Sequence, residues 1–148
     1  MLFRSVTWDI YSHQLNLETK QYITDLNSAH VNLKGEISYD NLPVALADYH
    51  VGVILYKGLS KNYIYNEPNK YFEYYVSGLD VWYPKEMTGM KANKQTANKP
   101  FVLELDFNDL PDDLLQKALQ PGLFSKVNKY IAENVFDNLL LHIDANRN

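Results

Sequence analysis

The stretch Asn66-Glu67-Pro68-Asn69-Lys70-Tyr71-Phe72-Glu73-Tyr74-Tyr75-Val76-Ser77-Gly78-Leu79-Asp80-Val81-Trp82 constrains this chain more than any other. It reads as a loop, a short helix, a glycine stop and a buried strand. Pro68 suits the first turn of a helix, where its missing N–H costs nothing. Gly78 stands where a left-handed residue ends one. Tyr71, Phe72, Tyr75 and Val76 recur at helical spacing and predict one apolar face. Lys70, Glu73 and Ser77 fall together on another. A cation and a carboxylate are thus presented near a helix N-terminus, where unpaired N–H groups and the helix dipole favour anions. On spacing alone, a lysine and a glutamate three apart on a helix more often form a solvated surface pair than a site.

The rest of the chain sets the context for this stretch. At 148 residues it is one domain's worth of sequence, long enough for a real core. Nearly half the residues are apolar, which argues against a disordered chain. Twelve tyrosines predict several side chains that straddle core and surface. A formal charge of −4 with no basic stripe argues against nucleic acid as a partner. Lys91, Lys94 and Lys99 read as a solvated loop. Without cysteine, neither disulfides nor thiolate metal sites can form. No apolar run approaches the roughly 20 residues that span a bilayer, and no signal-peptide core leads the chain. These features predict a soluble, cytoplasmic protein with no membrane contact.

Residues 1–5 belong to no obvious element and read as a junction scar or truncated start. Val6–Tyr11 reads as a strand. Leu17–Leu26 reads as an amphipathic helix capped by Asn16. His30–Lys34 alternates like a strand and stops at Gly35. Ser38 precedes a second helix, Tyr39–Ala47. Val51–Tyr56 is a continuous apolar run, typical of a strand covered on both faces. Lys57–Glu67 reads as a polar loop, and Pro84–Pro100 as a long segment without period, the kind that is functional or mobile. Phe101–Leu105 reads as a strand, Leu110–Leu119 as a short acidic-headed helix, and Phe124–Ile143 as a longer one. This alternation predicts an α/β domain with a mostly parallel sheet and helices on both faces. Ligands on such sheets bind beyond the carboxyl ends of the strands. The Gly35–Leu42 turn and the Lys57–Asn69 loop are both expected at that rim.

Three ordered segments resemble one family. Pro68-Asn69-Lys70-Tyr71-Phe72-Glu73-Tyr74 with Gly78-Leu79-Asp80-Val81 resembles the P-x-K-x-x-E-Y…G-x-P-V signature of retaining, two-domain glycosyltransferases of the group 1, or family 4, type. Asp80 stands at the usual proline. Val31–Ile37 followed by Leu42-Pro43-Val44-Ala45-Leu46 is similar to the family's strand, glycine, turn and L-P-x-x-L segment. His50–Leu55 is similar to its D-V-G-L-x-P strand, with His50 at the usual aspartate and Tyr56 near the usual proline. The resemblance runs from about Trp8 to Ile143.

It implies a partial, three-layer Rossmann-like domain over residues 6–148, the nucleotide-sugar-binding half of a GT-B architecture. By resemblance, Gly35, Glu36 and Ile37 would hold the nucleobase, with Leu42 as apolar support. Glu73 would accept hydrogen bonds from the ribose hydroxyls, a task that suits a carboxylate. Pro68, Asn69 and Lys70 would lie near the diphosphate. Lys70 would screen phosphate charge, or pair with Glu73 or Glu67. Tyr65 occupies the place of a second family glutamate, which leaves donor-sugar contacts to Asn66 or Glu67.

The implied activity is transfer of a sugar from a nucleotide diphosphate sugar to a glycan or polysaccharide acceptor, with no required metal or other cofactor. Helix N-termini and basic side chains would stabilise the leaving diphosphate. The implied partner is an acceptor-binding domain of the same parent chain. Catalytic residues are not assignable, and the chain alone is expected to transfer no sugar. His13, His30, His50 and His142 lack metal-ligand spacing. The rival reading is a non-catalytic α/β interaction module with a degenerate ligand rim.

Overall fold

In the computed structural model, which describes residues 6–56 and 58–120, the helix and strand of the central stretch form as their residue pattern dictates. The elements in order are β1 (Trp8–Tyr11), α1 (Leu17–Asp25), β2 (Val31–Gly35), a 3₁₀ turn at Tyr39–Asn41, α2 (Leu42–Leu46) and β3 (Val51–Val53). There follow α3 (Lys61–Tyr65), α4 (Asn69–Val76), β4 (Asp80–Pro84), a 3₁₀ segment at Thr88–Asn93, β5 (Val102–Leu105) and α5 (Leu114–Ala118). The helix expected over 124–143 lies outside the described residues, as do residues 1–5. The class is α/β, with open, parallel sheets.

The chain divides into two units, one ending at Pro43 and the other beginning at Val44. In the first, β1 and β2 pair in parallel, with Trp8 opposite Val31 and Ile10 opposite Leu33. Asn16 caps α1 by accepting the Thr19 N–H at 2.7 Å. No α1 residue is buried, and Leu17 and Tyr22 are among its exposed side chains. The strand expected from Val6 begins at Trp8, and the helix expected over Tyr39–Ala47 forms as a 3₁₀ turn followed by the short α2.

The second unit holds a parallel sheet of order β3-β4-β5. β4 is its centre and every residue of it is buried. Successive side chains on a strand point to opposite faces. Val81 and Tyr83 therefore meet Tyr71 and Tyr75 of α4, together with Ile54, Met87, Met90 and Val102. Trp82 meets Leu105, Leu114 and Ala118 on the other face. Helices thus cover both faces of this sheet, giving three layers. Truncating a core aromatic such as Tyr71 to alanine would cost about 3–5 kcal/mol, the usual range for Phe or Trp.

The C-terminus of α4 is closed by its glycine. Gly78 has φ +81°, its N–H donates to Tyr75 O at 3.1 Å, and the Leu79 N–H donates to Tyr74 O at 3.0 Å. These two bonds satisfy carbonyls that the helix end would otherwise leave free. Pro68 is the residue before the first turn rather than within it, and as N-cap it makes no side-chain hydrogen bond.

Several expectations need correction. β3 is only three residues long, because after Ile54 the chain leaves the sheet and Leu55 is half exposed. The expected Lys57–Glu67 loop contains α3, begun by Ser60, whose hydroxyl accepts the Tyr63 N–H at 3.3 Å. The expected irregular segment 84–100 contains a 3₁₀ stretch over Thr88–Asn93. Val76 is 49% exposed and does not belong to the buried face of α4, which narrows to Tyr71 and Tyr75 with Phe72 at its margin. The expected Leu110–Leu119 helix shortens to α5. Lys99 is not part of a solvated loop: it is buried against Asp80.

A cleft at the head of the fourth helix

α4 runs directly through Gly78 and Leu79 into the amino end of β4. Eight helical residues rise about 12 Å, so the α4 N-terminus lies toward the carboxyl ends of the strands. There a cleft of about 370 Å³ is lined by Tyr56, Asn66, Glu67, Pro68, Asn69, Lys70 and Glu73. Tyr56 comes from the segment after β3, Asn66 and Glu67 from the α3–α4 junction, and the rest from α4 and the residue preceding it.

Local chemistry fixes this junction. Asn66 is extended at φ −78° and ψ 145°, and Pro68, with φ −73°, is buried. The Glu67 carboxylate accepts the Asn93 amide N–H at 3.0 Å. Thr88 Oγ1 donates to the Ile64 carbonyl at 3.3 Å. Gly89 lies so close to the end of α3 that a Cβ there would stand 2.3 Å from the Tyr65 carbonyl oxygen. The segment after β4 therefore clamps the wall of the cleft from outside.

Lys70 forms no ion pair among the described residues, with Glu67, Glu73 or any other carboxylate. Its ammonium stands 5.9 Å from the centroid of the Tyr56 ring. That contact is at the outer limit of a cation–π interaction and holds the cation only weakly. Glu73 is half-buried, one turn further along α4, and accepts no side-chain hydrogen bond among the described residues. The neighbouring Tyr74 phenol is raised above its ordinary pKa by burial first, then by the Glu73 carboxylate and by Tyr56. The cleft thus presents an unpaired cation, an unpaired carboxylate and a fixed carboxylate.

Six of the residues expected from the sequence, Asn66, Glu67, Pro68, Asn69, Lys70 and Glu73, come together in this cleft. Gly35, Glu36, Ile37 and Leu42 belong to the first unit. Gly35 ends β2 with φ +82°. Glu36 is exposed, with Oε2 2.8 Å from His13 Nδ1, while Ile37 and Leu42 are half-buried. Tyr56 was not among the expected site residues. Its signal was its place as the last residue of the apolar run Val51–Tyr56, at the carboxyl end where such sheets bind ligands. Asn93 carries no local signal, since its partner is 26 residues away.

Among the described residues no group of three or more His, Asp or Glu could hold a metal ion, and no helix is long and apolar enough to cross a membrane. Comparison with protein-family models, with characterised proteins and with solved structures gives no match to this chain.

Proposed function

We propose that this chain is the donor-binding part of a glycosyltransferase that moves a sugar from a nucleotide diphosphate sugar to a glycan or polysaccharide acceptor. The observation that carries this reading is that Lys70 and Glu73 line one cleft at the head of α4, neither in an ion pair among the described residues. A ribose offers two adjacent hydroxyl donors, and a carboxylate can accept both. A diphosphate offers dense negative charge, which suits an ammonium outside any ion pair among the described residues, beside a helix N-terminus whose N-cap Pro68 makes no side-chain hydrogen bond. One turn of helix between them matches the short reach from ribose to phosphate.

Chemistry at the anomeric carbon would need an acceptor-binding domain of the same parent chain. The role of the residues here would be to bind the donor and to stabilise charge developing on the leaving diphosphate. No cofactor beyond the donor is invoked.

Calorimetric titration of UDP and GDP into the protein tests the reading. Binding of one of them with micromolar to millimolar affinity is expected, weakened by rising salt because one contact is ionic. Absence of binding by both would favour the rival, a non-catalytic α/β interaction module.

A further inference from the structure

Among the described residues that line the cleft, Tyr56 is the one aromatic side chain, and Pro68 adds the other apolar surface. The Tyr63 ring packs against it with centroids 5.0 Å apart and planes tilted by 36°. Tyr63 does not line the cleft, so it supports Tyr56 from outside. The order of groups matters. Glu73 lies one turn down α4, Lys70 lies at its head, and Tyr56 lies under the Lys70 ammonium. A nucleotide diphosphate sugar has the same order: ribose, diphosphate, hexose. Ribose at Glu73 and diphosphate at Lys70 leave the hexose beside Tyr56, Asn66 and Glu67.

We propose that Tyr56 is the platform on which the hexose ring of the donor packs, an assignment that rests on the donor-binding reading above. A hexose has C–H groups on its faces and hydroxyls on its rim. The electron-rich face of an aromatic ring attracts the C–H face. Glu67 and Asn66 supply acceptors and donors for the rim. Glu67 is already oriented by Asn93, so it keeps free lone pairs without having to be ordered on binding. Lys70 leaves its weak contact with the ring as the diphosphate arrives, and this uncovers the platform.

The test compares four ligands, UDP, GDP, UDP-glucose and GDP-mannose, with the wild-type protein and three variants. Tyr56→Leu and Tyr56→Met keep apolar bulk against Tyr63 but remove the ring face, whereas Tyr56→Phe keeps it. The leucine and methionine variants should bind the nucleotide sugar about 2- to 12-fold more weakly, the range of an aromatic face contact. Their affinity for the matching diphosphate should not change, and the phenylalanine variant should match wild type for both. With wild-type protein alone, the bound hexose C–H protons should shift upfield in the NMR spectrum through the ring current, a readout independent of how the variants fold. Equal weakening of diphosphate and sugar, no weakening of either, or binding without the upfield shift overturns the platform while leaving the donor reading intact. Failure of all four ligands to bind wild-type protein overturns the donor reading, and the platform with it.

Discussion

Lys99 Nζ lies 2.5 Å from Asp80 Oδ2, and both side chains are buried. Each partner makes a further hydrogen bond. Asp80 Oδ1 accepts the Phe101 N–H at 2.7 Å, and Lys99 also donates to the Ala118 carbonyl at 2.9 Å. One ion pair therefore ties the amino end of β4 to the entry of β5 and to the end of α5. It stands at the opposite end of β4 from the carboxyl rim.

Lys99→Met should therefore destabilise the protein without altering ligand affinity in whatever remains folded. Removing one partner of a buried pair leaves an uncompensated charge and costs about 3–5 kcal/mol. Asp80→Leu combined with Lys99→Met should recover part of that loss. The Phe101 N–H and Ala118 carbonyl stay unpaired in the double variant, so recovery stays incomplete. Urea unfolding of the single and double variants measures both effects.

Gly89→Ala should disturb the cleft as well as the fold. Its Cβ would meet backbone atoms of Tyr65, which cannot rotate away. Overpacking of this kind costs about 1–3 kcal/mol, and the shift would pass directly to Asn66 and Glu67. Gly35→Ala makes the contrast, since a Cβ there meets nothing within 4 Å. Its cost is only that of a left-handed backbone, about 1–2 kcal/mol. Melting curves compare the stability of the two variants, and diphosphate titrations of Gly89→Ala against wild type should show lost affinity.

Tyr83→Phe should stabilise the protein. The Tyr83 hydroxyl is buried with no hydrogen-bond partner among the described residues. Removing such a group recovers desolvation of about 1–3 kcal/mol at most. Burial, and then the Glu104 carboxylate, raise the Tyr83 pKa from 10.0 to about 12. Its proton is thus held more tightly folded than unfolded. The associated stability is intact below pH 10 and is lost as pH rises from there through about 12. The phenylalanine variant should lack that part of the alkaline decline, as followed by unfolding at a series of pH values.

The carboxyl rim of β4 and β5 also carries an exposed ion pair between Lys85 and Asp106. Hydrogen bonding to Lys85, followed by the Asn108 backbone, holds the Asp106 carboxyl below its ordinary pKa, and Asp106 in turn raises Lys85. Any stability from Asp106 is present above its unfolded pKa and disappears as pH falls through the folded one. Exposure and salt screening keep the effect small. Asp106→Asn should flatten the acid limb of the stability profile slightly, and less so at high salt.

What the sequence revealed and what it hid divide by range. The Asn16 cap and the Gly78 stop follow from contacts within a few residues, while the buried β4 and the parallel α/β class are carried by apolar runs and by the alternation of strand and helix patterns. Val76 was misplaced because an eight-residue helix buries a narrower face than its apolar residues suggest. α3 escaped notice because five residues hold too little periodicity to read. Lys99 looked like part of a solvated run because its partner is 19 residues away, and nothing local marks a lysine that will be buried. The six expected residues that line one cleft were grouped in the sequence around one helix start. Tyr56 and Asn93 join them only through tertiary structure.

The account stands on Glu73 as a ligand carboxylate, and Glu73→Gln tests it most directly. The amide keeps one acceptor oxygen but loses the charge and the second acceptor. Loss of a charge-assisted bond, about 1.5–3 kcal/mol, predicts a roughly tenfold to hundredfold rise in the dissociation constant of the bound nucleoside diphosphate. The melting temperature should stay close to that of wild type, because Glu73 has no ion-pair partner among the described residues. Calorimetric titration of UDP and GDP into both proteins decides the matter. Weaker binding with an unchanged melting curve is the predicted result, and equal affinity in the two proteins would contradict the account.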